Sequence, residues 1–319
     1  MSNDIPVVII SVYDRARHIQ MCLESIEAAE GASEFTVLVG SDSAGKSEHE
    51  ERINEVRRYL KEKEKNHGFK DLKVTYYPEN VGESRNWDEL FIKAQDLGFK
   101  SFIGMEDDVI IGKYFLQFAR QGLERFEDDD RVIAINGFLH PDRKHDLKSA
   151  FLYDGFAAYG FAGWFDKWDA VLSQISRENY PKKILSTAAG FGALAKETEY
   201  ARTYPFLAEH YYSATDIELD LYMRCENKWV LTPPVSLTAN RGLDGSGLRS
   251  GVNVVLQQMK PYEGMVEIPG RDEVQCVRYK TVAEATPMKE LAISWAIFLI
   301  YRFVPKGFQL LKLIREKTR

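Results

Sequence analysis

Five short apolar runs, separated by segments of helical period, leave this chain few ways to fold. PVVIISVY (6–13), FTVLVGSD (35–42), LKVTYYPEN (72–80), KSFIGM (100–105) and RVIAING (131–137) are rich in β-branched residues, as strands buried on both faces are. Between them, HIQMCLESIEAAEG places Ile19, Cys22, Leu23 and Ile26 on one helical face and predicts a stop at Gly31. Further helices are predicted over 47–65, over WDELFIKAQDLG (87–98) and over YFLQFARQGLERF (114–126). Strands alternating with helices predict an α/β fold with a parallel sheet and right-handed crossovers.

In such sheets ligands bind beyond the carboxyl ends of the strands. The polar ends VYDR (12–15), GSDS (40–43), ENVGESRN (79–86) and MEDD (105–108) are therefore expected to line one crevice. The last of these sets Glu106, Asp107 and Asp108 side by side after an apolar strand. Such a triplet either lies in water or holds a cation, because burying unpaired carboxylates costs several kcal/mol each. Hard cations such as Mg²⁺ or Mn²⁺ take one or two protein carboxylates when phosphates supply the other oxygens. The strand-end position favours a metal role here, whereas EDDD (127–130) reads as a solvated turn between a helix and a strand.

Composition narrows the classes. Of 319 residues, 45% are hydrophobic and 28% charged, which is ordinary for a globular chain. The net charge of −6 argues against nucleic acid as a partner. Cys22, Cys225 and Cys276 stand far apart with no CxxC, which points to a reducing compartment without structural zinc or disulfides. The N-terminal MSNDIPVVII lacks the pattern of a signal peptide. After residue 137 the alternation loosens into FAAYGFAGWFDKWDAVL (156–172), a helix starting near TDIELDL (215–221), a strand through WVLTPPVSL and the glycine-rich NRGLDGSGLRSG (240–251).

These segments together resemble the inverting family 2 glycosyltransferases with the GT-A fold: VVIISVYDR followed by CLESI, then ENVGESRN and MEDDVIIGKYFLQF. The EDD is similar to that of the N-acetylglucosaminyltransferase I family and stands where family 2 has its DXD motif. AGWFDKW (162–168), TDIELDL and NRGLDGSGLRSG resemble segments of a subgroup of bacterial polysaccharide and O-antigen transferases. That subgroup has Asp-Ser-Trp where this chain has Asp216-Ile217-Glu218, and a His where Leu248-Arg249 stands.

The resemblance implies a Rossmann-like nucleotide-binding sheet with helices on both faces, plus a C-terminal helical tail. Residues 1–137 would be the nucleotide-sugar half of a GT-A domain, and 138–287 its acceptor and catalytic-base half. By resemblance Asp108 holds Mn²⁺ or Mg²⁺, while Asp107 and Glu106 hold ribose or sugar hydroxyls. Val12, Tyr13, Asp14 and Arg15 flank the nucleotide, and Asp42 accepts from uracil or another base edge unless it caps a turn. Arg85, in a polar loop after the third strand, suits phosphate, though a surface arginine reads equally well. Asp216, with Asp220 as fallback, is the general base rather than a plain helix cap. Trp164 is a candidate acceptor wall, its other reading being core packing, which is the stronger reading for Trp168. Gly242, Gly245, Ser246 and Gly247 form a loop closing over donor or acceptor.

The implied activity is metal-dependent inverting hexosyl or N-acetylhexosaminyl transfer, from a nucleotide sugar (UDP-sugar favoured) to a glycan or lipid-linked acceptor, in bacterial surface polysaccharide synthesis. A sugar-nucleotide pyrophosphorylase would share the strand order but should carry a glycine-rich basic loop after strand one, and SVYDRARH has no glycine. A non-catalytic sugar-binding protein is the third reading, disfavoured by the intact EDD and Asp216.

From Met288 onward the chain carries seven Lys/Arg against two Glu, or +5, leaving −11 for the rest. LAISWAIFLIYRFV (291–304) is too short for a comfortable membrane span. Residues 288–319 are therefore read as a basic amphipathic tail lying on an anionic membrane, or alternatively as a helix docked on the body. The former makes the protein cytoplasmic and peripheral on the inner face of the cell membrane.

Overall fold

The computed structural model describes residues 4–141, 146–195, 199–211, 215–247, 251–278 and 288–317. Leu248, Arg249 and Arg319 lie outside the described residues. Eleven strands are present among them: β1 Val7–Val12, β2 Thr36–Ser41, β3 Asp71–Tyr76, β4 Ser101–Glu106, β5 Val109–Ile111, β6 Val132–Asn136, β7 Phe151–Tyr153, β8 Phe161–Trp164, β9 Trp229–Thr232, β10 Thr238–Asn240 and β11 Cys276–Val277. The helices are α1 Ala16–Glu27, α2 Glu50–Lys63, α3 Glu83–Asp96, α4 Phe115–Phe126, α5 Phe165–Glu178, α6 Tyr180–Leu185, α7 Ala188–Ala195, α8 Tyr204–Ala208, α9 Thr215–Glu226, α10 Val254–Gln257, α11 Met288–Phe303 and α12 Pro305–Lys317.

Nine strands make one sheet in the order β11-β7-β9-β6-β8-β4-β1-β2-β3. Four of the five apolar runs read from the sequence form its parallel half, β3-β2-β1-β4, while the fifth, β6, lies beyond an antiparallel strand and pairs in parallel with β9. Their register is level at the carboxyl ends: Val12 lies beside Ser41, Ser41 beside Tyr76, and Ser11 beside Glu106. Helices cover both faces, with α1, α2 and α4 packing in one apolar cluster and α3, α5 and α9 in the other. The α/β architecture expected from the strand–helix alternation is thus the one observed. β8 runs antiparallel between β4 and β6, so the sheet is continuous across residue 137.

Local differences have plain causes. α1 ends at Glu27 rather than at Gly31, which adopts φ +80° and opens a 3-10 turn over Ala32–Glu34. α3 starts at Glu83, directly after Gly82 at φ +77°, so half of ENVGESRN is helix rather than loop. The strand expected through WVLTPPVSL is interrupted after Thr232, where Pro233 and Pro234 offer no N–H to a neighbour. What resumes is β10, and it leaves the main sheet to pair antiparallel with β5, Asn240 opposite Val109. That short ladder sets the glycine-rich loop beside the acid triplet.

Candidate functional site

Asp107 and Asp108 occupy the turn between β4 and β5, both nearly fully buried. Arg15, immediately before α1, reaches over from the end of β1. Its guanidinium forms a fork on Asp107 through Nη2 and Nε, and its Nη1 lies 2.8 Å from Asp108 Oδ2. Asn240, the last residue of β10, donates from Nδ2 to Asp108 Oδ1 at 3.1 Å and accepts the Gly242 N–H on Oδ1 at 2.7 Å. The Arg241 N–H donates to the Asp108 carbonyl at 2.7 Å. Two segments 132 positions apart are therefore locked into one unit.

Gly242 makes this possible. A Cβ there would stand 1.9 Å from Asp108 Oδ2 and 2.7 Å from Arg15 Nη1, so only a residue without a side chain fits. His18, on α1, places Nε2 3.3 Å from the Arg241 carbonyl oxygen and 3.3 Å from Asp244 Oδ2, holding the same loop from the other side.

One guanidinium does not balance these acids. Burial pushes the Glu106 carboxyl up to about 8, helped by the charges of Asp108, Glu83 and Asp107. Burial likewise lifts Asp107 to about 7, against the pull of Arg15. The acidic groups of the pocket offer oxygens, the donors a hard divalent cation takes. Among the described residues no three His, Cys, Asp or Glu side chains form a ready metal shell. The residues fit a cation held by one or two carboxylates, with phosphate and water completing its shell, and Arg15 now lies against those same oxygens.

Asp216 sits in the first turn of α9 with its side chain exposed. Its charge is felt at Tyr159, whose phenol burial raises above its ordinary value and the charges of Glu106, Asp108 and Asp216 raise further. Asp220 does not share this position. Its Oδ1 accepts the Phe156 N–H at 2.8 Å and ties α9 to the loop before β8, a structural task that argues against the fallback base.

Three other expectations change. Asp42 is buried and uses its carboxylate fully: Oδ1 accepts from Ser43 N at 2.7 Å and Val81 N at 2.9 Å, and Oδ2 from Asn80 Nδ2 at 3.0 Å and Gly82 N at 2.9 Å. A carboxylate has about four acceptor positions, so none remains for a base edge, and Asp42 organises the loop before α3. Arg85 projects from the first turns of α3 into solvent, paired with Glu89 at 2.7 Å; the guanidinium that meets the acids is Arg15. Trp164 pairs in register with Ser101, at the amino end of β4, and is 4% exposed beneath the Lys167 ammonium at 4.1 Å. It lies at the opposite end of the sheet from the crevice, and Trp168 packs in the core against Phe102 and Phe161.

The remaining residues of VYDR shape the rim. Val12 is buried and its carbonyl accepts the Asp42 N–H at 3.1 Å. Tyr13 receives the Gly45 N–H at 3.0 Å and meets His49 Nδ1 at 2.6 Å. Asp14 pairs with Arg52 of α2 at 2.8 Å. Gly245, at φ +89°, Ser246 and Gly247 form the outer tip of the loop, where Ser246 N donates to Asp244 Oδ1 at 2.9 Å. Asn240, Tyr159 and His18 are the site residues that sequence reasoning passed over. Asn240 stood at the head of a motif read for its glycines, and no spacing singles out Tyr159 or His18.

No family model matches the chain, and no curated protein matches it. Among solved structures it is similar to three crystal structures of S. aureus TarS. With TarS 1-349 the identity is 14% and the TM-score 0.42, over 76% of this chain and 62% of that one. With TarS 1-349 in complex with UDP-GlcNAc these are 17% and 0.37, over 55% and 47%. With a further TarS structure they are 15% and 0.38, over 55% and 30%. This chain spans less than two-thirds of each.

Proposed function

We propose that the chain is a glycosyltransferase, moving a hexosyl or N-acetylhexosaminyl group from a nucleotide sugar, a UDP-sugar by preference, to a glycan or lipid-linked acceptor with inversion at the anomeric carbon. The observation that carries this reading is the docking of the NRGLDGSG loop onto Asp108 at the carboxyl ends of the parallel strands, with Arg15 paired to the same carboxylate. Place and residues suit one chemistry. A diphosphate leaving group gathers negative charge as its bond to the sugar breaks, and the Arg15 guanidinium is positioned to swing from the acids to that charge. Asp108 would hold Mn²⁺ or Mg²⁺, which would supply further neutralisation of the diphosphate, with Asp107 and Glu106 on ribose or sugar hydroxyls.

Asp216, exposed in the first turn of α9, takes the proton from the acceptor hydroxyl while the hydroxyl oxygen bonds to the anomeric carbon from the face opposite the diphosphate. That first turn lies near the positive end of the helix's dipole. The resemblance of the EDD and LDGSG segments supports a place in bacterial surface polysaccharide synthesis, at the cytoplasmic side of the membrane.

Calorimetric titration of UDP-sugars with and without Mn²⁺, beside an assay for released nucleoside diphosphate, tests the proposal. Mn²⁺ should tighten binding to the wild type and leave Asp108→Asn unaffected. Equal Mn²⁺ enhancement in both proteins refutes the role of Asp108. Release of pyrophosphate from a nucleoside triphosphate and a sugar phosphate would make the chain a pyrophosphorylase, and binding without turnover would make it a sugar-binding protein.

A further inference from the structure

The basic tail is docked and amphipathic at once. Ser294 and Phe298 of α11 are buried, with Phe298 stacked on Phe191 at 4.4 Å and Trp295 edge-on to the same ring at 5.1 Å. Phe308 of α12 packs on Phe206 at 5.0 Å, and the Tyr211 hydroxyl donates to the Lys312 carbonyl at 3.2 Å. Ion pairs Arg202–Glu290 at 2.9 Å and Lys312–Glu209 at 3.7 Å close the two ends. The helices are therefore part of the body, and they do not need to detach to be used.

Their outward faces are apolar. On α11 Met288, Leu299 and Phe303 are 81%, 47% and 70% exposed, at helical spacing along one stripe; on α12 Leu310, Leu313 and Ile314 are each more than half exposed. Exposed cations flank the stripe: Lys289, Arg302 and Lys306. Among the described residues no helix is long and apolar enough to cross a membrane.

From this arrangement we infer that the outward faces of α11 and α12 are a docking surface for an anionic lipid bilayer, which the intact protein meets without unfolding its tail. Charge selects the occupant. The tail carries +5 and the remainder −11, so an anionic leaflet attracts this face, repels the rest and orients the molecule. A second copy meeting it across a two-fold axis would set one +5 tail against another. Long apolar side chains rimmed by lysine and arginine suit the boundary between acyl chains and headgroups, where the stems lie in the apolar layer and the charges reach the phosphates.

Flotation of the full-length protein with vesicles tests the inference, using phosphatidylcholine alone and phosphatidylcholine mixed with phosphatidylglycerol. Wild type should float with the mixed vesicles, weakly with phosphatidylcholine, and less at high salt. Leu299→Glu/Phe303→Glu should lower the partition about tenfold or more while its melting temperature stays at the wild-type value, since both side chains are exposed. No binding by wild type to either vesicle overturns the inference, as does equal binding by wild type and the double variant. A dimer in sedimentation that the double variant converts to monomer, without lipid binding, overturns it in favour of an interface between copies. The surface stands apart from the acid site, and UDP-sugar binding measured on the same samples separates its failure from failure of the transferase reading.

Discussion

Gly242→Ala probes the point where the two halves of the site touch. The new Cβ would lie 1.9 Å from Asp108 Oδ2, so roughly 1.5 Å of separation is missing for ordinary van der Waals contact. The carboxylate cannot retreat cheaply. Asn240 holds Oδ1 at 3.1 Å and Arg15 holds Oδ2 at 2.8 Å. If Asp108 turns away, a charged pair and a charge-assisted hydrogen bond go; if the loop lifts, the 2.7 Å bonds from Arg241 N and Gly242 N go instead. Turning Asp108 away costs about 4 kcal/mol and lifting the loop about 2, counting about 1 for a neutral bond and about 2 for one to a charged group, so the loop lifts. In a chain of this size about 2 kcal/mol lowers the melting temperature by about 3 °C. Parting the loop from Asp108 should also weaken UDP-sugar binding about tenfold or more, visible by calorimetry.

Gly98→Ala is the control. Gly98 adopts φ +82°, and a Cβ there meets nothing within 4 Å. It follows α3 at the far end of the sheet, so the substitution should cost about 1–2 kcal/mol in backbone strain with no change in ligand affinity. A Gly242→Ala protein that melts and binds like wild type would refute the close packing of loop on acid.

Asp216→Asn should cut turnover on the order of a hundredfold while leaving donor affinity near wild type; near-normal transfer would move the base elsewhere. Asp42→Ala should lower the melting temperature by several degrees, because it leaves the buried Val81 and Gly82 N–H groups unpaired at about 1–3 kcal/mol each. A base-edge role would instead lower nucleotide affinity at unchanged stability. Hydrogen bonds from Arg131 hold the Asp129 carboxyl below its ordinary range. A depressed carboxyl contributes stability above the unfolded value of about 3.9 and loses it as pH falls through the folded value. Asp129→Asn should accordingly melt lower than wild type at neutral pH and converge with it in strong acid, and a gap that persists there would contradict the linkage.

The acid cluster at 127–130 shows where sequence reading stops. EDDD reads as a solvated turn, and Asp128 and Asp130 fit that reading. Asp129 is buried because its neighbour two positions on turns back to chelate it, donating from Nε at 3.0 Å and from Nη2 at 2.7 Å. The same limit applies to Asp42, whose four donors come from residues up to 40 positions away, and to Asp220, held by a backbone N–H 64 positions off. A carboxylate looks alike in sequence whether it awaits a ligand or has already spent its lone pairs within the fold.

Periodicity is local, so the sequence alone determined the elements: the parallel strands, the helices between them and the polar ends that meet beyond the sheet. Glu106-Asp107-Asp108 and the glycine-rich loop were visible for the same reason, as short contiguous strings of unusual composition. Only the tertiary structure decided which cation faces the acids, because Arg15 and Arg85 are both arginines near strand ends and just one is aimed inward by the level register of β1 and β4. It also put Trp164 at the wrong end of β4 for a ligand, since an antiparallel partner reverses direction in a way no local pattern records. The β5–β10 ladder joins its two motifs through backbone hydrogen bonds, which any residue but proline can make, and so leaves no side-chain signature to read.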